Sequence, residues 1–185
     1  MAHAYNDASV RNCLESGVRS IEHGNLIDEE TARIMAEAGA YLVPTLVTYE
    51  ALSEEGRDYG VPEDVIRKID EARELGVRAL RYAYEAGVRI ASGSDLLGPL
   101  QDRKARELEI KAEVMSPMES LVSATRTNAA LFGMEGEIGT VEEGKLADLL
   151  VVDGNPLENV AVLQKKSNLK LIMKSGRVIK NEIGE

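Results

Sequence analysis

Three times the chain closes a helix-forming stretch with Glu-x-Gly and enters an apolar run at once. The phrases are Glu15-Ser16-Gly17-Val18, Glu37-Ala38-Gly39-Ala40 and Glu85-Ala86-Gly87-Val88. Glycine suits the left-handed position that ends a helix, because without a Cβ it takes positive φ freely. The runs that follow are short and aliphatic, as strands buried on both faces are. Helix starts alternate with these stops. Asn6 or Asp7 suits the cap of the first helix, Asp28 with Glu29 and Glu30 the second, and Pro62 with Glu63 and Asp64 opens a long one. In that long helix Val65, Ile69, Ala72, Ala79 and Ala83 keep roughly helical spacing and mark an inner face. Strand–helix alternation of this kind dictates βα units and a parallel sheet. The fold class is α/β.

From Ser116 the texture changes. Ser116-Pro117-Met118-Glu119 is a capping box with proline in the first helical position, and Thr127 is the expected cap of a second short helix that stops at Gly133. Apolar runs follow at 138–141, 149–152, 169–173 and 178–179, with turn signals at Gly154-Asn155-Pro156 and Ser175-Gly176. No helix between them is long enough for a parallel crossover, so they predict a small antiparallel sheet. The expected division is an α/β part over 1–136 and a β portion over 137–185.

Composition narrows the function classes. With 32 acidic and 22 basic residues the net charge is −10, which argues against a nucleic-acid partner, whose phosphates need clustered Lys and Arg. Six Tyr, one Phe and no Trp leave the core to aliphatic side chains. Cys13 is the only cysteine, so no intrachain disulfide can form, and its place in the first helix suits a small core residue. The longest apolar stretch, 149–152, is far short of the roughly 20 residues of a membrane span, and the N-terminus has no basic or apolar leader region. A cytoplasmic protein without a membrane partner is expected. The length of 185 residues also falls short of the roughly 250 of a complete (β/α)8 barrel.

The two histidines are placed informatively. His23 follows Gly17 by six residues, at the end of the strand expected over 18–22. Asp95 follows Gly87 by eight, after Ser92-Gly93-Ser94, and His3 stands just before the first helix. All three then fall on the C-terminal rim of the parallel sheet, where α/β enzymes build their sites. Two imidazoles and a carboxylate are a sensible donor set for a single zinc with one position open. Singly, each has a plainer explanation, as a packed strand-end histidine or a helix-capping aspartate; their coincidence on one rim points to a site.

Two other segments imitate function. Gly139-Thr140-Val141-Glu142-Glu143-Gly144-Lys145 fits the first seven positions of a phosphate-binding loop, but Leu146 cannot ligate magnesium and two glutamates would repel phosphate. It is a turn between strands, and no nucleotide site is expected. The alternating charges of 101–111 suit a solvated helix face.

Ala2-His3-Ala4-Tyr5, Ile21-Glu22-His23-Gly24, Ser92-Gly93-Ser94-Asp95 and Gly139-x4-Gly144-Lys145-Leu146-Ala147-Asp148-Leu149-Leu150-Val151-Val152-Asp153 occur in this order. Together they resemble the C-terminal half of the amidohydrolase superfamily, in the imidazolonepropionase-like branch that includes Xaa-Pro dipeptidases. The resemblance covers essentially the whole chain. It implies a distorted TIM-like barrel with one or two zinc ions, held by a His-x-His after strand one, a carboxylated Lys on strand four, a His after each of strands five and six, and an Asp after strand eight. His3 then matches the strand-five His, His23 the strand-six His and Asp95 the strand-eight Asp. Asp95 would serve as ligand and general base, and Tyr5 as a contact to the substrate carboxylate or the developing oxyanion. The implied reaction is hydrolysis of the amide bond of a dipeptide or N-acyl amino acid by a metal-activated water.

The sequence departs from that pattern in one large respect. His3 and His23 are its only histidines, so it has no His-x-His, and nothing in it matches strands one to four or the bridging Lys. It reads as about strands five to eight plus a portion of a β-sandwich: a truncated copy, a clipped product or one chain of a split hydrolase. The open half-barrel is expected to associate with itself or with the missing N-terminal half, and to show little turnover alone. A non-catalytic, self-associating fold unit is the competing expectation.

Overall fold

The computed structural model describes residues 1–184. Four short strands, β1 (Ala2–Asn6), β2 (Ser20–Leu26), β3 (Tyr41–Val43) and β4 (Arg89–Ile90), pair in parallel in chain order. Between them run α1 (Asp7–Glu15), α2 (Glu29–Glu37), α3 (Leu46–Glu55) and the long α4 (Glu63–Glu85). Crossovers of one hand between successive neighbours put every helix on the same face of the sheet, as in a barrel wall. Ile21, Leu42 and Ile90 lie in register across β2, β3 and β4 and pack with Val10, Met35, Leu80 and Ala83 into an aliphatic core on that face. Tyr41, Val43 and Ala91 form a separate small cluster, with Leu131 packed on it.

The local signals behave as their chemistry requires. Gly17, Gly39 and Gly87 all take positive φ (77°, 61° and 81°) where helices stop. Asn6 caps α1 in a reciprocal capping box with Ser9, and Asp28 accepts the Thr31 amide at 2.7 Å. Ser116 and Glu119 close the capping box of α6 (Pro117–Ala124). These caps give the fold a local acid response. Hydrogen bonds from Thr31 to Asp28, and from Ser116 to Glu119, hold both carboxyls below their ordinary values. A carboxyl with a depressed folded pKa stabilises above its unfolded value, and that contribution is lost as pH falls through the folded one. Amide protection in the first turns of α2 and α6, corrected for intrinsic exchange, is expected to fall below about pH 4. Asp28→Asn should keep the cap and remove the pH dependence at Thr31; hydrogen exchange read by NMR checks both.

Four expectations need correction. Thr127 lies inside α7 (Arg126–Phe132), and Thr125, the residue shared with the end of α6, stands at its cap. The run 138–141 is not a strand, because local turn bonds such as Ile138 N–H to Met134 O take up its backbone. The buried stripe of α4 is Ile66, Gly76, Ala79, Leu80 and Ala83; Val65 is exposed, and its neighbour Ile66 is the residue facing Gly56 and Val61. The charged run 101–111 is no solvated face: it breaks into a short 3-10 turn and α5 (Arg106–Lys111), whose Glu107 and Lys111 are buried. Spaced four apart, those two side chains share the inner side of a helix only six residues long.

The C-terminal strands β5 (Leu149–Val152), β6 (Leu169–Lys174) and β7 (Arg177–Asn181) make the expected antiparallel sheet. Ser175-Gly176 turns the chain between β6 and β7, and Asp148 fixes the turn by accepting the Ser175 amide and pairing with Lys174 at 2.7 Å. Leu150, Val151, Val178 and Ile179 of this sheet stay exposed. Among the described residues no helix is long and apolar enough to cross a membrane.

Candidate active site

Strain marks the rim of the parallel sheet. Among the described residues the non-glycine residues with positive φ are His23 (79°), Thr45 (49°), Asp95 (50°) and the hairpin residue Ser175. His23 lies inside β2, where the sequence leads one to expect the strand's end, and Thr45 and Asp95 stand past the ends of β3 and β4. Each such residue costs about 1–3 kcal/mol and persists only where its surroundings hold it, a pattern concentrated at functional sites. For the β-branched Thr45 the conformation is an outlier.

His23 is aimed by its own backbone. It and Gly24 (φ 60°) are successive left-handed residues, located where the pairing of β1 with β2 shifts register. A Cβ at Gly24 would stand 2.6 Å from Leu42 Cδ1, so only glycine lets β2 turn here. The imidazole is thereby held between two partners. Its Nδ1 lies 2.8 Å from Thr45 Oγ1, and its Nε2 lies 2.8 Å from Nδ1 of His3. The Tyr5 ring stacks on it, with centroids 4.5 Å apart and planes 6° from parallel. Burial lowers the His23 pKa, Asp95 opposes that with its charge, and His3 adds to the lowering. Burial favours the neutral ring, the form that ligates metal.

A second aromatic stands behind this pair. The Tyr49 hydroxyl donates to Asn25 Oδ1 at 2.9 Å, and Asn25 Nδ2 donates to Pro44 O at 3.0 Å. Burial, then the neighbouring Tyr5 and Asp95, push the Tyr49 phenol well above its ordinary value, so it remains a hydrogen-bond donor. The Asp95 loop is anchored at its start, where Asn128 of α7 accepts the Ser92 amide at 2.9 Å and donates to Ser92 O at 3.0 Å.

The donor set fits a divalent cation in part. Two nitrogens on one tetrahedral zinc stand about 3.3 Å apart, given bonds of about 2.0–2.1 Å. His3 and His23 already converge to 2.8 Å. Thr45 holds the far nitrogen of His23, as outer partners of metal-binding histidines do. Asp95 is exposed and bears on His23 through its charge. Among the described residues no three His, Cys, Asp or Glu side chains make a group that could hold a metal ion.

The profile of the Amidohydrolase family matches residues 1–179. The chain belongs to the amidohydrolase family. Its α/β part and β tail superpose on a crystal structure of an amidohydrolase with 48% identity and a TM-score of 0.93, over 98% of this chain and 44% of that one. A prolidase complexed with N-methylphosphonate-L-proline shares 40% identity at a TM-score of 0.93, over 98% and 45%. Ochratoxinase of Aspergillus niger is 30% identical over 185 residues, 97% of this chain and 37% of the relative. The chain therefore spans less than half the length of the amidohydrolases it matches, as a partial barrel would.

Of the residues singled out in the sequence, this amidohydrolase chain brings His3, His23 and Tyr5 into contact, and places Asp95 on the same rim without a hydrogen bond to either histidine. Thr45, Tyr49, Asn25 and Asn128 escaped notice. Thr45 had a usable signal, since it follows the strand after Gly39 just as Asp95 follows the strand after Gly87. Tyr49, Asn25 and Asn128 had none, because their partners are distant in sequence.

Proposed function

We propose that this chain carries the second half of the active site of a metal-dependent amidohydrolase that cleaves the amide bond of a dipeptide or N-acyl amino acid. The observation that carries the proposal is the convergent His3–His23 pair, 2.8 Å apart beside strained backbone. On this reading β1 to β4 are strands five to eight of the barrel, His3 and His23 are zinc ligands, and Asp95 joins them. A bound divalent ion supplies Lewis acidity and an acidified water.

The chain's own residues do the rest. Thr45 fixes the His23 ring, and Asp95 accepts the proton of the attacking water on a carboxylate oxygen and returns it to the leaving nitrogen. Tyr5, half-exposed beside the histidines, meets the substrate carboxylate or the developing oxyanion. The relatives support the substrate class: a phosphonate on proline nitrogen has the tetrahedral centre of an amide under attack.

The inner side of the sheet holds a cleft of about 440 Å³ lined by Glu22, Val43, Leu131 and Phe132 among others. In the working protein we assign its cover to the rest of the barrel. The test is an assay of the full-length protein with Xaa-Pro dipeptides and N-acyl amino acids. Hydrolysis that stops on chelation and returns with Zn²⁺ is expected; no hydrolysis of any of them with Zn²⁺ present sinks the proposal. Native mass spectrometry of the same preparation separates the competing reading, which demands a metal-free oligomer of this chain.

A further inference from the structure

Helix α3 begins without a cap of its own. Thr45 stands at its N-cap position, yet its side chain makes no capping bond, because Oγ1 is turned to His23 Nδ1 at 2.8 Å. The first amides of any helix lack partners within it, and threonine at this position ordinarily supplies one. Here the partner comes from α5. Glu107 Oε2 accepts the Val47 amide at 2.7 Å, 60 residues away in the chain. Glu107 is 1% exposed, and its Oε1 is a buried side-chain oxygen without a hydrogen-bond partner. Lys111, one turn on and fully buried, provides the opposite charge while donating to Ser123 Oγ.

Burying a carboxylate is costly, and an N-cap threonine in the usual extended conformation would spare it; Thr45 is instead left-handed, with its hydroxyl on His23. The expense is explained if the hydroxyl is needed elsewhere. We infer that Glu107 is a positioning residue for His23: by capping α3 from another helix it releases Thr45 Oγ1 to hold the imidazole. Thr45 is kept left-handed, His23 keeps its proton on Nδ1, and the lone pair of Nε2 faces His3. Glu107 touches neither imidazole and acts only through Val47 and Thr45.

This inference rests on the reading of His3 and His23 as ligands, but its test needs neither metal nor substrate. Imidazole ¹⁵N NMR of the metal-free protein at pH 8, with His23 assigned by its loss in His23→Gln, reports which ring nitrogen carries the proton. The expected result is a single Nδ1–H form in the wild type and in Glu107→Gln, which keeps an acceptor oxygen, and averaged nitrogens in Glu107→Ala. Glu107→Asn, drawn back from Val47 by one methylene, gives the same averaging and serves where the alanine variant does not fold. Ile66→Ala, a core truncation beside Gly56 and Val61, should lose stability and leave His23 unchanged. Zn²⁺ binding should weaken about 10–100-fold in the alanine or asparagine variant. A single Nδ1–H form in a folded Glu107→Ala or Glu107→Asn protein overturns the inference, whatever happens to hydrolysis.

Discussion

Asparagine at position 95 is expected to lower kcat for dipeptide or N-acyl amino acid hydrolysis by about 10²–10⁴-fold, the range for loss of a general base. The substitution isolates the carboxylate. Asparagine tolerates the left-handed backbone that Asp95 adopts at φ 50°, so the loop has no reason to move. Thr48 Oγ1 donates to the backbone oxygen of residue 95 at 3.3 Å, a bond that survives the change. What disappears is a group able to take a proton from water, together with the negative charge that now supports His23. Loss of a ligand would weaken metal binding as well, so the comparison belongs at saturating Zn²⁺ in the full-length protein. Activity within about threefold of wild type under those conditions would remove Asp95 from the proton transfer.

The division between what the sequence disclosed and what it hid follows the reach of the forces involved. Helix caps and Glu-x-Gly stops are settled within four residues, which is why Asn6, Asp28, Ser116 and the three glycines were legible. The strand-end positions expected for His3 and His23 are not those of the structure, which holds them inside β1 and β2; the 2.8 Å approach of the two rings depends on a left-handed turn at His23 that no pattern announces. Charge patterning misled at 101–111, because alternating charge describes a solvated face only if the helix is long enough to have one. Glu107 is buried by tertiary partners in α3, and Arg106 is drawn to Glu50 of the same helix at 2.9 Å. Apolar content misled at 138–141 for the opposite reason, since a strand needs a neighbouring edge and this run spends its bonds locally.

The largest stability loss is expected from Lys111→Met. Lys111 is fully buried, with Nζ donating to Ser123 Oγ and lying 3.4 Å from Ala91 O, and Glu107 one turn away is buried as well. Burial raises the Glu107 pKa and lowers that of Lys111, and each charge opposes the other's shift. Methionine fills much the same volume, so the cavity contribution is small and the effect reports charge. Removing one partner of a buried pair costs about 3–5 kcal/mol, a large share of the 5–15 kcal/mol that ordinarily holds a domain folded. Without Lys111 the folded Glu107 pKa rises further above its unfolded value. A raised folded pKa stabilises below the unfolded one and loses that contribution as pH climbs through the folded value. Urea denaturation of Lys111→Met should therefore show a smaller deficit at pH 5 than at pH 7.5, and adding Glu107→Gln should recover part of the loss at the higher pH. A deficit below about 1 kcal/mol at both pH values would mean that Glu107 is not a buried charge and that α3 is capped by a neutral acid.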